Sequence, residues 1–247
     1  MEPATILIIL AIFAVAVMYS SVGHGGASGY LAVMAFMGVT PEVTRSTALV
    51  LNLFVASIGL YQFWRAGFFS WRIFWPFALS SIPFSFLGGM IYLPTQIYKF
   101  VLGGVLMVAA LRLAWRLKVD GETRPPQIWI ALCVGAVIGL LSGMVGVGGG
   151  IFLTPVLLLA GWSETKTAAG VSAAFILVNS IAGLFGNLAG NYDAFGRLPG
   201  TVWLWIAAAA VGGLVGSFLG AKRFDSLTMR RVLAVVLLFA GIKLIFV

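Results

Sequence analysis

"SSVGHGGASGY", residues 20–30, interrupts an almost continuous apolar run and holds the only histidine of the chain, His24. A glycine-rich polar turn stands where a membrane helix would otherwise continue, and its reading decides the fold. Hydrophobic residues make up 61% of the 247 residues and charged ones 9%, more apolar side chain than a water-soluble domain of this length can bury. The chain therefore reads as an all-α polytopic membrane protein. Its formal net charge of +8 resides in short stretches between apolar runs, where lysine and arginine report orientation, not a nucleic-acid partner.

A helix needs about 20 apolar residues to cross the hydrocarbon core. The stretches 46–64, 73–92, 97–115, 168–188 and 202–221 meet that length or nearly so, and 128–145 and 232–247 are counted with them. The opening "MEPATILIILAIFAVAVMYSS" carries glutamate where a secretory signal carries lysine or arginine, and reads as a retained membrane segment. Two further runs, 28–39 and 151–162, are too short: at ~1.5 Å per residue they reach about 18 Å of a ~30 Å core. Each follows a glycine cluster, "VGHGG" in one case and "VGVGGG" in the other.

That coincidence is an internal repeat. Gly23, Gly25 and Gly26 fall on Gly146, Gly148 and Gly149, "MGVTPEVTRSTA" (37–48) lies near "AGWSETKTAAGVSA" (160–173), and "KFVLGGVLMVAALR" matches "RRVLAVVLLFAGIK". The chain divides into repeats at 1–117 and 128–247, joined by a linker at 118–127. Each repeat combines a glycine-interrupted short or re-entrant helix pair with three transmembrane helices. Either five segments or three spans plus a re-entrant hairpin is odd, so the second repeat enters the membrane from the opposite side and the repeats are inverted. Inverted repeats with broken helices in matching positions are the pattern of secondary transporters.

Of the 15 Lys and Arg residues, eleven fall in odd-numbered connections: Arg65, Arg72, Arg112, Arg116, Lys118, Arg124, Lys166, Lys222, Arg223, Arg230 and Arg231. Arg45, Lys99, Arg197 and Lys243 are the rest. The positive-inside bias places the odd connections and the linker in the cytoplasm and both termini outside the cell membrane.

Backbone that leaves the helical pattern inside a membrane is tolerated only where it is buried in protein or lines a wet cavity. The helices following the two turns present free N–H groups and the positive end of the helix dipole, a setting that holds an anion without a buried arginine. The turn at 22–26 is expected to face the outside and that at 145–150 the cytoplasm. The candidate binding residues are Ser21, Gly23, His24, Gly25, Gly26 and Ser28 around the first turn, Ser142, Gly146, Gly148, Gly149 and Gly150 around the second. Thr47, Asn52, Ser172 and Asn179 join them from the following helices. His24, the only residue whose unperturbed pKa lies near neutral pH, is the candidate for coupling to protons. The acidic residues Glu2, Glu42, Asp120, Glu122, Glu164, Asp193 and Asp225 all lie at termini or connections, which argues against a carboxylate-driven cation pump. No cofactor or metal is expected. Cys133, the one cysteine, is expected to be buried as a small apolar residue.

The segments "GHGGASGYLAVMAFMGVTPEVTRSTALVLN" and "GMVGVGGGIFLTPVLLLAGWSETKTAAGVSAAFILVN" resemble the TauE/SafE family, the sulfite exporter group of membrane permeases, and the resemblance covers nearly the whole chain. It implies export or exchange of small sulfur-containing or organic anions such as sulfite, sulfonates and sulfoacetate. The expected partners are then the small anion and membrane lipid, with a homo-oligomer compatible with the sequence. Two rivals are weighed. An intramembrane protease pairing Ser142 with His24 lacks the surroundings of a nucleophilic serine, so the chain is not read as an enzyme. A passive anion channel is the stronger alternative, because the same glycine tips can form a filter.

Overall fold

The computed structural model describes residues 3–39, 41–91, 123–190 and 200–225, with single positions between 103 and 111 and between 227 and 242. Regular structure among the described residues is helical, without strands. In chain order the helices are α1 (Pro3–Ser20), α2 (Ala27–Phe36), α3 (Pro41–Arg65) and α4 (Trp71–Met90), then α5 (Ile128–Val145), α6 (Gly150–Leu159), α7 (Thr165–Gly190) and α8 (Val202–Phe218), which runs into a π turn at Leu219–Arg223. Five of them are long and apolar enough to cross a membrane: Val43–Arg65, Trp71–Met90, Ile128–Val145, Thr165–Gly190 and Val202–Arg223. Most of the expected spans at 97–115 and 232–247, and half of the linker, 118–122, lie outside the described residues.

Two boundaries differ from the sequence reading in ways that matter. Pro41 opens α3, a position where its missing N–H has no intrahelical partner to lose. The helix therefore starts before the expected 46, and Arg45 sits in its second turn instead of in a connection. Cys133 lies on the exposed face of α5 and not in the core.

Glycine ladders bring helices together. Gly212, Gly216 and Gly220 set α8 and its π turn against the backbone of Phe13, Val17 and Ser21 on α1 and just beyond it. Gly135, Gly139 and Gly143 set α5 against Phe77, Ser81 and Ser85 of α4. Residue numbers rise together along both pairs, so each pair runs parallel. Small residues at four-residue spacing let helix backbones approach closely in a membrane, where lipid supplies no hydrophobic drive. The third helices run the other way: Gly59 of α3 meets Ala173 of α7, Gly183 meets Leu49, and Asn187 donates to Ser46 Oγ at 2.9 Å.

The glycine turn and short helix occur twice with similar backbone, the turns differing at Gly148, whose φ is +77° where its counterpart Gly25 is not left-handed. The helices α2 and α6 have 10 residues each. Gly23, Gly26 and Gly38 have φ of +78°, +96° and +75°, and Gly146, Gly149 and Gly161 have +79°, +81° and +67°. Such left-handed backbone is strained for any residue with a Cβ, which explains why glycine recurs. The hydrogen bonds repeat too: His24 N–H donates to Tyr19 C=O as Val147 does to Ser142, and Val39 to Met34 as Trp162 does to Leu157. Both α2 and α6 begin with a carbonyl, of Gly26 and Gly149, that accepts from two following N–H groups.

Candidate functional site between two glycine turns

The two turns meet against the middles of α3 and α7. A Cβ on Gly25 would collide with the Asn52 side chain and come within 3.1 Å of Ile176 Cγ2. A Cβ on Gly148 would come within 2.8 Å of the same Ile176 methyl and 2.9 Å of Asn52 Nδ2. Asn52 also donates from Nδ2 to the Val147 carbonyl at 3.2 Å and to Ser180 Oγ at 3.4 Å. Away from this meeting point the turns diverge toward opposite helix ends. Gly23 abuts the backbone of Ala169 near the start of α7, and Gly146 abuts Arg45 near the start of α3. Seven residues separate Arg45 from Asn52 and Ala169 from Ile176, about 10 Å of helix in each case.

All residues from Ser20 to Tyr30 and from Val145 to Pro155 are buried. Within that buried zone the amide N–H groups of Gly25, Gly26, Ala27 and Ser28 donate to no acceptor among the described residues, and neither do those of Gly148, Gly149, Gly150 and Ile151. Buried side-chain atoms join them without a hydrogen-bond partner: His24 Nδ1, Tyr30 Oη, Thr47 Oγ1, Asn52 Oδ1, Ser142 Oγ and Asn179 Oδ1. Buried backbone donors are satisfied in the great majority of cases, so a cluster of unsatisfied ones marks a place for a ligand or ordered water.

The sequence-derived candidates separate into groups. Gly25, Gly148 and Asn52 are gathered where the turns meet, Gly150 lies against the same Ile176, and His24, Gly26 and Gly149 are their neighbours in the chain, Gly26 against Tyr30 and Gly149 against Phe175. Ser172 reaches the same zone through Thr154, whose Oγ1 lies 2.8 Å from His24 Nε2 and donates to Ser172 Oγ at 2.7 Å. Ser21 bonds back to the Met18 carbonyl at 2.7 Å, Ser28 donates to Tyr19 Oη at 2.9 Å, and Gly23 and Gly146 form the outer flanks of the turns. Thr47 and Ser142 are fully buried. Asn179 faces α4, donating to Ser81 Oγ at 3.0 Å and to the Phe175 carbonyl at 2.8 Å. Asn179 and Asn187 thus tie α7 to α4 and α3, while Asn52 ties α3 to the second turn.

Four participants escape the sequence reading. Thr154 and Tyr30 sit in apolar runs, where a lone hydroxyl usually means little, yet Tyr30 Oη lies against Gly26. Arg45 donates to the carbonyls of Gly88, Gly89, Ile91 and Gly143, joining the C-terminal ends of α4 and α5. Lys166, near the start of α7, donates to the Ala221 carbonyl at 3.4 Å in the π turn after α8. Each third helix thus places a cation near its own start, on the carbonyl end of the fourth helix, the end where positive charge is favoured.

Comparison with known proteins supplies the chemical context. The family profile described as Sulfite exporter TauE/SafE matches residues 8–244. The "Probable membrane transporter protein y4hK" of Sinorhizobium fredii is 40% identical over 99% of this chain and 100% of its own. The "Probable membrane transporter protein YjnA" of Bacillus subtilis is 26% identical over 97% and 98%, and the "Probable membrane transporter protein MJ0441" of Methanocaldococcus jannaschii is 26% identical over 87% and 85%. No solved structure matches. With helices fit to cross a bilayer and a match along nearly its whole length, the chain is a multi-pass membrane protein that belongs to the sulfite exporter TauE/SafE family of membrane transporters.

Proposed function

We propose that the protein is a secondary transporter, operating as an exporter in the cell membrane, for small sulfur-containing or organic anions such as sulfite, sulfonates or sulfoacetate. The anion is held at mid-depth between the glycine turns by backbone N–H groups and helix N-termini, with Asn52 and His24 beside it. The observation that carries this reading is the pair of buried, unbonded amide sets at 25–28 and 148–151, of which Gly25 and Gly148 lie against Asn52. Oriented amides at a helix N-terminus favour negative charge, and their partial charges leave the anion free to depart.

Alternating access follows from an inverted pseudo-two-fold arrangement of the repeats. It is supported by the antiparallel contact of α3 with α7 and by the exchange of partners, α1 with α8 and α5 with α4. With the orientation from the charge count, the start of α3 is outside and the start of α7 cytoplasmic. In this reading Gly23, beside Ala169, lies toward the cytoplasm and Gly146, beside Arg45, toward the outside, opposite to the expectation from the sequence. The difference arises because α1, with 18 residues, runs past mid-depth before the chain turns back. Arg45 and Lys166 hold the two ends shut.

Sulfite, thiosulfate, sulfate, sulfonates and carboxylates screened by thermal shift on purified protein test the reading, since a ligand of the folded state raises its apparent stability. Stabilisation by a sulfur oxyanion or organic anion, together with uptake against its gradient in vesicles, is the expected result. Stabilisation with strictly downhill flux would favour a channel.

A further inference from the structure

We propose that Thr154 is a positioning residue: with Ser172 it holds His24 as the Nε2–H tautomer, which makes Nδ1 the proton-accepting atom at the glycine turns. The proposal rests on the reading of these turns as the transport site. His24 Nε2 and Thr154 Oγ1 are 2.8 Å apart, and Thr154 Oγ1 and Ser172 Oγ are 2.7 Å apart, with all three residues buried. When the Thr154 hydroxyl donates to Ser172, its oxygen is left to accept, and Nε2 must carry the hydrogen. The opposite chain, Ser172 to Thr154 to Nε2, would put the hydrogen on Nδ1, which has no partner and is shielded from solvent. A buried orphan N–H is rarer than an under-satisfied acceptor, so the first chain wins. In this way the bond made by one ring nitrogen decides the state of the other.

Among the described residues, the ring meets Thr154 from α6 and Tyr19 from α1, whose ring centroid lies 6.4 Å away at 46°. Neither brings a formal charge, and the Tyr19 hydroxyl already accepts from Ser28. A proton arriving at Nδ1 turns that atom from acceptor to donor while the Nε2–H to Thr154 bond stays in place. The imidazole can therefore gain and lose a proton without rotating. The repeat makes this arrangement one-sided, because the residue in the place of His24 in the second turn is Val147.

His24 is the only histidine, so protein labelled with 15N-histidine gives one imidazole in a two-bond proton–nitrogen correlation spectrum. At a pH where the ring is neutral, a protonated Nε2 and a bare Nδ1 are expected in the wild type. Thr154→Val should shift the population toward Nδ1–H, and Thr154→Ser should restore Nε2–H. Ser172→Ala, which frees the Thr154 hydroxyl to donate to Nε2, should also shift it toward Nδ1–H, and serves should the valine variant fold poorly. An Nδ1–H wild type, or an unchanged Nε2–H pattern in both Thr154→Val and Ser172→Ala, overturns the proposal. The spectrum is read without substrate, so a predicted tautomer in a protein that no anion stabilises would overturn the transport reading and leave the tautomer assignment standing.

Discussion

Asn52 is the residue on which both glycine turns close: its amide nitrogen holds the Val147 carbonyl and its side chain lies against Gly25. Asn52→Leu keeps the bulk but leaves that carbonyl unpaired in a buried place, for a cost of about 1–3 kcal/mol. A lower melting temperature with loss of anion-induced stabilisation is expected; an unchanged response to anion would remove Asn52 from the site. At His24 the expected signature is separate. His24→Gln keeps hydrogen bonding to Thr154 and removes the titratable ring, so the variant should bind anion yet lose whatever pH dependence of transport the wild type shows. The wild-type pH profile in that variant would end the coupling role. The glycines, His24 and Asn52 were legible in the sequence because polar or helix-breaking residues stand out in an apolar run. Thr154 was not, since a single threonine in a membrane helix usually bonds its own backbone, and only the fold brings it to a histidine 130 positions away.

At the scale of elements, close packing rests on glycine ladders and on cations at helix ends. Gly216→Leu forces a branched side chain into the Val17 backbone on α1 and should destabilise by about 1–3 kcal/mol, read as a lower thermal midpoint. Gly200→Ala, where an added Cβ meets nothing within 4 Å, is the matched control and should be neutral. Arg45→Gln removes charge-assisted bonds worth about 1.5–3 kcal/mol each from the ends of α4 and α5. A cysteine placed at Ser142 in a Cys133→Ala background should then label faster with an impermeant reagent from outside; labelling no faster than with Arg45 intact would show that Arg45 does not close that end. The short helices α2 and α6 were readable from length, as were the five long spans. The Arg45 bracket was not: Thr-Pro-Glu-Val-Thr-Arg looks like a connection, and apolarity alone cannot see that proline starts the helix there.

For the whole molecule, the recurrence of a glycine turn followed by a short helix was legible because glycine spacing and short-helix length are fixed by backbone geometry and survive where side chains diverge. Reporter fusions at residues 1 and 247 are expected on the extracytoplasmic side; a cytoplasmic signal from either would require the charge-based orientation to be redrawn. The central claim is that one anion is held by backbone from both turns. Counterflow of radiolabelled sulfite in proteoliposomes tests it most directly, comparing the wild type with Gly25→Val and Gly148→Val, whose added bulk falls on Asn52 and Ile176 where the turns converge. Accumulation in the wild type and its loss in both variants, with each still inserted and folded, is the predicted result. Wild-type counterflow in either variant would contradict the account.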